Sequence, residues 1–152
     1  MEIKATGKPH KEPELLAGAP KPLIPDGSYL AVCKRYDFSI IAKSKKLYLH
    51  FKIKENPHIK SSKYKGYAGT ELFQAFNLPI SGPVESGRKY YKTWVWLNNF
   101  QTPSRNASLS PKKFIGKTFI IKTRTCEPKF NGKNTHKSLN YSIIDCLLEV
   151  VK

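Results

Sequence analysis

Lys46-Leu47-Tyr48-Leu49-His50-Phe51-Lys52-Ile53-Lys54 alternates without a break: Leu47, Leu49, Phe51 and Ile53 interleave with Lys46, Tyr48, His50, Lys52 and Lys54. Successive side chains on a strand point to opposite faces, so this segment offers an apolar face to a core and turns lysines, a tyrosine and a histidine outward. Aromatic rings give nucleobases a stacking surface, and lysines neutralise phosphates. A sheet built on this strand is therefore predicted to carry a nucleic-acid face at Lys46, Tyr48, His50 and Lys52.

Before this strand, Pro25-Asp26-Gly27 signals a turn that launches a first long strand over residues 28–39. The polar break Ala42-Lys43-Ser44-Lys45 returns the chain antiparallel to it. Both faces of the first strand carry apolar residues, so its phase is ambiguous; one phase brings Arg35, Tyr36 and Phe38 onto the surface of Tyr48 and His50. Lys34 and Arg35 are candidate phosphate contacts, and Tyr36 a candidate stacking ring.

After it, residues 56–65 form a basic loop with Tyr64 and Lys65, read either as a solvated connection or as a nucleic-acid contact. Residues 70–78 predict a third strand whose large residues are Phe73 and Phe76, with Gly66 and Gly69 permitting a bulge or close backbone approach. A Pro/Gly-rich linker follows. Tyr90, Trp94 and Leu97 then share one side and Tyr91 and Val95 the next, which favours a short helix over a strand at residues 88–100. Helical geometry sets positions 94 and 96 about 200° apart, directing one tryptophan to the core and the other to solvent.

Ser110-Pro111 reads as a cap with proline at the first helical position. Residues 117–125 alternate again, sending Phe119, Ile121 and Thr123 one way and Ile120, Lys122 and Arg124 the other. Asn131-Gly132 marks a turn in a basic hairpin carrying Lys129, Phe130 and Lys133, a finger suited to close over a nucleic-acid strand. Residues 139–151 form a closing strand, apolar on most of both sides and hence predicted to be central.

The balance of charge narrows the class of partner. The chain has 152 residues, 27 Lys+Arg and 11 Asp+Glu, for a formal net charge of +16. Its length fits one domain with a real core. Residues 1–25 hold four lysines and three glutamates, so the excess positive charge belongs to residues 26–152 rather than to a tail. A polyanion is the natural partner, and nucleic acid the commonest one. The lead-in itself is rich in proline and lacks an apolar period, which predicts a flexible segment over residues 1–25, the alternative being that it lies across the barrel or contacts a partner.

Cys33, Cys126 and Cys146 make an odd count without CxxC spacing, and the histidines are scattered, so neither a disulfide framework nor a zinc site is expected. No apolar run reaches the ~20 residues of a membrane helix, and the N-terminus lacks a secretory core. An intracellular, cytoplasmic protein without membrane attachment is the expectation. Phosphate-binding loops, HExxH, GxSxG and kinase motifs do not occur, and the eight acids after residue 25 are dispersed rather than clustered to hold a metal. No catalysis and no cofactor are expected.

Several short stretches are similar to a known group. Ile24-Pro25-Asp26-Gly27-Ser28-Tyr29, Gly69-Thr70-Glu71-Leu72-Phe73 with Phe76-Asn77-Leu78, the run from Leu109 to Phe119, and Tyr141-Ser142-Ile143-Ile144-Asp145 resemble small proteins of phages, plasmids and integrative elements. That group includes single-stranded-DNA-binding proteins with an oligonucleotide/oligosaccharide-binding (OB) barrel, and the similarity spans roughly residues 23–151. The resemblance implies accessory work in replication, recombination or transfer of a mobile genetic element. The chain ends Leu148-Glu149-Val150-Val151-Lys152, unlike the acidic docking tail of housekeeping single-strand binders, so recruitment through such a tail is not expected.

These readings converge on an all-β domain over residues 26–152: a five-stranded antiparallel OB-like barrel with one short helix, binding single-stranded DNA largely without sequence preference. Phosphate contacts are assigned to Lys34, Arg35, Lys46, Lys52, Lys122, Arg124 and Lys133, and stacking to Tyr36, Tyr48, Phe130 and Tyr64, with His50, Lys65 and Lys129 completing the surface. The alternatives are an RNA-binding module on the same barrel, and a basic adaptor or inhibitor docking on an acidic protein surface. A second copy of the chain and replication or recombination proteins are the candidate protein partners.

Overall fold

The computed structural model describes residues 13–56 and 66–151; the basic loop with Tyr64 and Lys65 lies outside them. The fold is mostly β with one short helix. Its five-stranded sheet runs in the order β3-β2-β1-β4-β7, every hydrogen-bonded neighbour antiparallel. The long strands are β1 (Ser28–Ile41), β2 (Ser44–Ile53), β3 (Glu71–Leu78), β4 (Thr118–Cys126) and β7 (Tyr141–Val151). Between β4 and β7, β5 (Lys129–Phe130) and β6 (Lys133–Asn134) make a separate two-stranded hairpin.

The alternation of β2 fixes the inside. Leu47, Leu49 and Phe51 are fully buried and Ile53 nearly so, while Tyr48 and His50 are half-buried on the other face and Lys52 is exposed. The ambiguous phase of β1 has a structural cause: its register with β2 shifts between Cys33 and Arg35, leaving Lys34 as the extra residue of a bulge. Before it, Tyr29, Ala31 and Cys33 point inward. After it the parity inverts, so Arg35 and Asp37 pair with His50 and Tyr48, and Tyr36 and Phe38 with Leu49 and Leu47. Arg35 therefore joins the outward face, whereas Tyr36 and Phe38 lie on the opposite one.

Helix α1 (Lys89–Leu97) crosses from β3 toward β4 and buries Tyr90. Its ring stands 5.4 Å from Phe76 and 6.2 Å from Phe114, which continues at 6.3 Å to Phe119. Phe51 and Trp96 meet Phe119 at 5.6 Å and 6.3 Å, so aromatic contacts run through the core from β3 to β4. Both tryptophans are half-buried, unlike the split that helical angles predicted. The segment following the helix folds back over it, and Trp94 Nε1 and the Tyr90 hydroxyl donate to the carbonyls of Ser110 and Leu109. Ser110 caps the one-turn helix Pro111–Lys113 by accepting from the Lys112 amide.

β7 ends the hydrogen-bonded order instead of lying centrally. Among the described residues no main-chain ladder joins it to β3, and the sheet is not closed by hydrogen bonds. The two edges nevertheless meet through side chains: Gln74 Nε2 donates to the Asp145 carbonyl at 3.3 Å, and the Phe73 and Tyr141 rings stand 6.4 Å apart. The free edge of β7 is taken by the chain's own lead-in. The Ser142 amide donates to the Pro22 carbonyl at 2.8 Å, and the Ile24 amide to Ser142 Oγ at 2.8 Å. Ile24 is buried with the core, so packing begins just ahead of the Pro25-Asp26-Gly27 turn.

Candidate nucleic-acid interface

Strand register assembles the outward face. Across the pairing of β2 and β3, Tyr48 lies opposite Ala75, His50 opposite Phe73, and Lys52 opposite Glu71. The Phe73 ring meets Tyr48 edge-on at 5.3 Å and the His50 ring at 6.3 Å. Tyr141 extends the set from β7, and Lys21 of the lead-in places its ammonium 4.3 Å from the Tyr141 centroid and 5.7 Å from that of Phe73. Four rings and a cation thus gather on one side of the sheet, across the edges where β3 and β7 meet.

The cations around the rings fall into two groups. Arg35 Nη1 donates to Asp37 Oδ2 at 2.6 Å, and Arg124 Nε donates to Asp145 Oδ1 at 3.1 Å. Both arginines are therefore held by carboxylates. Asp37 Oδ2 also lies 2.9 Å from His50 Nε2, close in distance but not aligned as a hydrogen bond. Lys52 and Lys122, by contrast, are exposed on β2 and β4, Lys46 is half-buried beside Tyr48, and Lys34 stands exposed at the bulge.

Tyr141 is tuned by its neighbours. Hydrogen bonding with Cys126, partial burial and the proximity of Cys126 and Tyr48 push its hydroxyl up to about 12, against the opposing charge of Arg124. It is a neutral phenol at physiological pH, with a π face fit for stacking. Because Cys126 pairs directly with Tyr141, the β5–β6 hairpin springs from the rung beside the ring cluster. At its tip Asn131 and Gly132 both have positive φ, 53° and 78°, the primed two-residue turn that Asn-Gly favours. Phe130 is 71% exposed there, Lys133 is exposed, and Lys129 Nζ donates to Asn134 Oδ1 at 2.8 Å.

The sequence-predicted residues thus divide by position. Arg35, Lys46, Tyr48, His50 and Lys52 share the β1–β2 face, Arg124 reaches its Tyr141 side, and Lys122 lies on the outer side of β4 opposite Ser28 and Cys146. Lys129, Phe130 and Lys133 stand on the adjoining hairpin. Tyr36 does not join: it is half-buried opposite Leu49 and meets Phe38 edge-on at 5.8 Å. Lys21, Phe73 and Tyr141 were not singled out by sequence as site residues. Alternation within β3 and β7 does set Phe73 and Tyr141 opposite their buried neighbours Leu72 and Ser142, but only register brings the two rings together.

No described group of three or more His, Cys, Asp or Glu side chains is arranged to hold a metal ion. No described helix is long and apolar enough to cross a membrane. No protein-family model matches the chain, and no curated protein matches it in sequence.

Proposed function

We propose that this protein binds single-stranded DNA on the outward face of the sheet, largely without sequence preference. The observation that carries the reading is the Tyr48–Phe73–Tyr141 cluster with His50 at its side, bordered by Lys21, Arg35, Lys46, Lys52 and Arg124. Half-exposed rings accept any base by its π face, and the surrounding cations accept the phosphates between bases. Sequence preference is weak in such a surface because stacking does not read hydrogen-bonding edges. The β5–β6 hairpin supplies a wall, with Phe130 as a further ring and Lys129 and Lys133 as phosphate contacts.

The strand order and the nearness of β3 to β7 support an OB-like barrel as the finer description, its seam held by the Gln74–Asp145 contact and the lead-in. Together with the mobile-element resemblance, this favours an accessory role in replication, recombination or transfer.

Fluorescence anisotropy with matched single-stranded DNA, single-stranded RNA and duplex tests the proposal. Single-stranded DNA is expected to bind tightest, with log affinity falling linearly against log salt. Preference for RNA would shift the assignment to a ribose-reading module, equal weak binding to all three would reduce it to generic basicity, and absence of binding would overturn it in favour of a protein partner.

A further inference from the structure

At the far end of β1 the molecule leaves apolar surface uncovered. Phe38, Ile40 and Ile41, on and next to the β1–β2 turn, are 52%, 66% and 72% exposed. Beside them opens a groove of about 870 Å³, walled by Phe38, Leu78, Val84 and Tyr91 and bearing two cations, Lys45 and Arg105. No acid lines it. It lies on the side of the sheet away from the Tyr48–Phe73 cluster, where the parity change in β1 has sent Phe38.

The lead-in has the complementary chemistry. Leu15 is 94% exposed and Leu16 81%, outside any helix or strand and directly after Glu14. Among the described residues the lead-in first hydrogen-bonds to the sheet at Pro22 and Ile24, and on its own copy the leucine pair stands largely in solvent. Two consecutive leucines held in water forfeit the transfer energy of both side chains. A groove with apolar walls and a cationic lining offers both leucines cover and Glu14 a partner.

We propose that this groove receives the Glu14-Leu15-Leu16 segment of a second copy, and that two copies exchange these segments reciprocally about a two-fold axis. The groove and the nucleic-acid face lie on opposite sides of the sheet, and neither Lys45 nor Arg105 belongs to that face. The pairing therefore stands or falls independently of the DNA reading.

Sedimentation velocity of the full chain at micromolar concentration tests it. The wild type is expected to sediment at twice the chain mass, and Leu15→Ser/Leu16→Ser at the chain mass with an unchanged circular dichroism spectrum, since neither leucine touches the core. Glu14→Lys and Arg105→Glu are each expected to weaken the dimer, and the two changes together to restore it. A wild type that stays monomeric, or a dimer that survives the double serine change, overturns the proposal. So does a failure of the paired charge reversal to restore association.

Discussion

Phe73 touches Tyr48, His50 and Tyr141 at once, and it faces away from the core. Its replacement by alanine should remove stacking: Phe73→Ala is expected to weaken single-stranded DNA binding by ~1–3 kcal/mol, read by anisotropy at a temperature where circular dichroism shows the variant folded. Asp37 acts in the opposite sense. It holds Arg35 and approaches His50, and phosphate must compete with it for both. Asp37→Asn is expected to tighten binding by up to about 1 kcal/mol and to steepen the salt dependence, because a cation is released and a negative charge removed. Inside the core, burial pushes the Cys33 thiol from an ordinary value near 9 up to about 12. The folded state therefore prefers the neutral thiol, and its contribution is complete below pH 9 and lost as pH rises toward 12. Tyr90 shifts in the same direction by the same cause. Thermal melts across alkaline pH should show the midpoint falling through that window, and a flat profile would contradict the assignment.

Among the elements, β2 was the most legible in sequence, because its unbroken alternation sets each side chain's face from local spacing alone. β1 was not, since a bulge between Cys33 and Arg35 inverts the parity of every following residue and no local signal announces where it falls. That inversion separates Tyr36 from Arg35. The Tyr48–Phe73–Tyr141 cluster was only half legible for a related reason: Tyr48 follows from alternation, but Phe73 and Tyr141 meet only when β3 and β7 approach across the sheet edges. Lys21 was hidden further, lying in a segment whose composition reads as a flexible lead-in. The β5–β6 hairpin was plainly legible from Asn131-Gly132, whose positive φ values are those the turn requires. Its role is tested by Phe130→Ala, expected to weaken DNA binding less than Phe73→Ala and to leave stability unchanged, because the ring is 71% exposed. An equal or larger loss than at Phe73 would move the centre of the interface to the hairpin.

At the scale of the molecule, one aromatic-rich core supports two chemically different sides. Phe119 contacts Phe51, Phe114 and Trp96, joining the sheet to the segments that cover it, and Phe119→Ala is expected to destabilise the fold by ~3–5 kcal/mol in denaturant titrations. Such a variant would lose DNA binding only through unfolding, which distinguishes it from the outward substitutions. The charge excess attracts a polyanion anywhere on the surface, so affinity alone does not locate the interface. Photo-cross-linking does. With single-stranded DNA carrying a halogenated uracil, followed by mass spectrometry of the conjugated peptides, the account predicts adducts at Tyr48, Phe73 and Tyr141, with Phe130 as a flanking site. Adducts confined to Tyr36, Phe38 or Tyr91 on the opposite side of the sheet would contradict it.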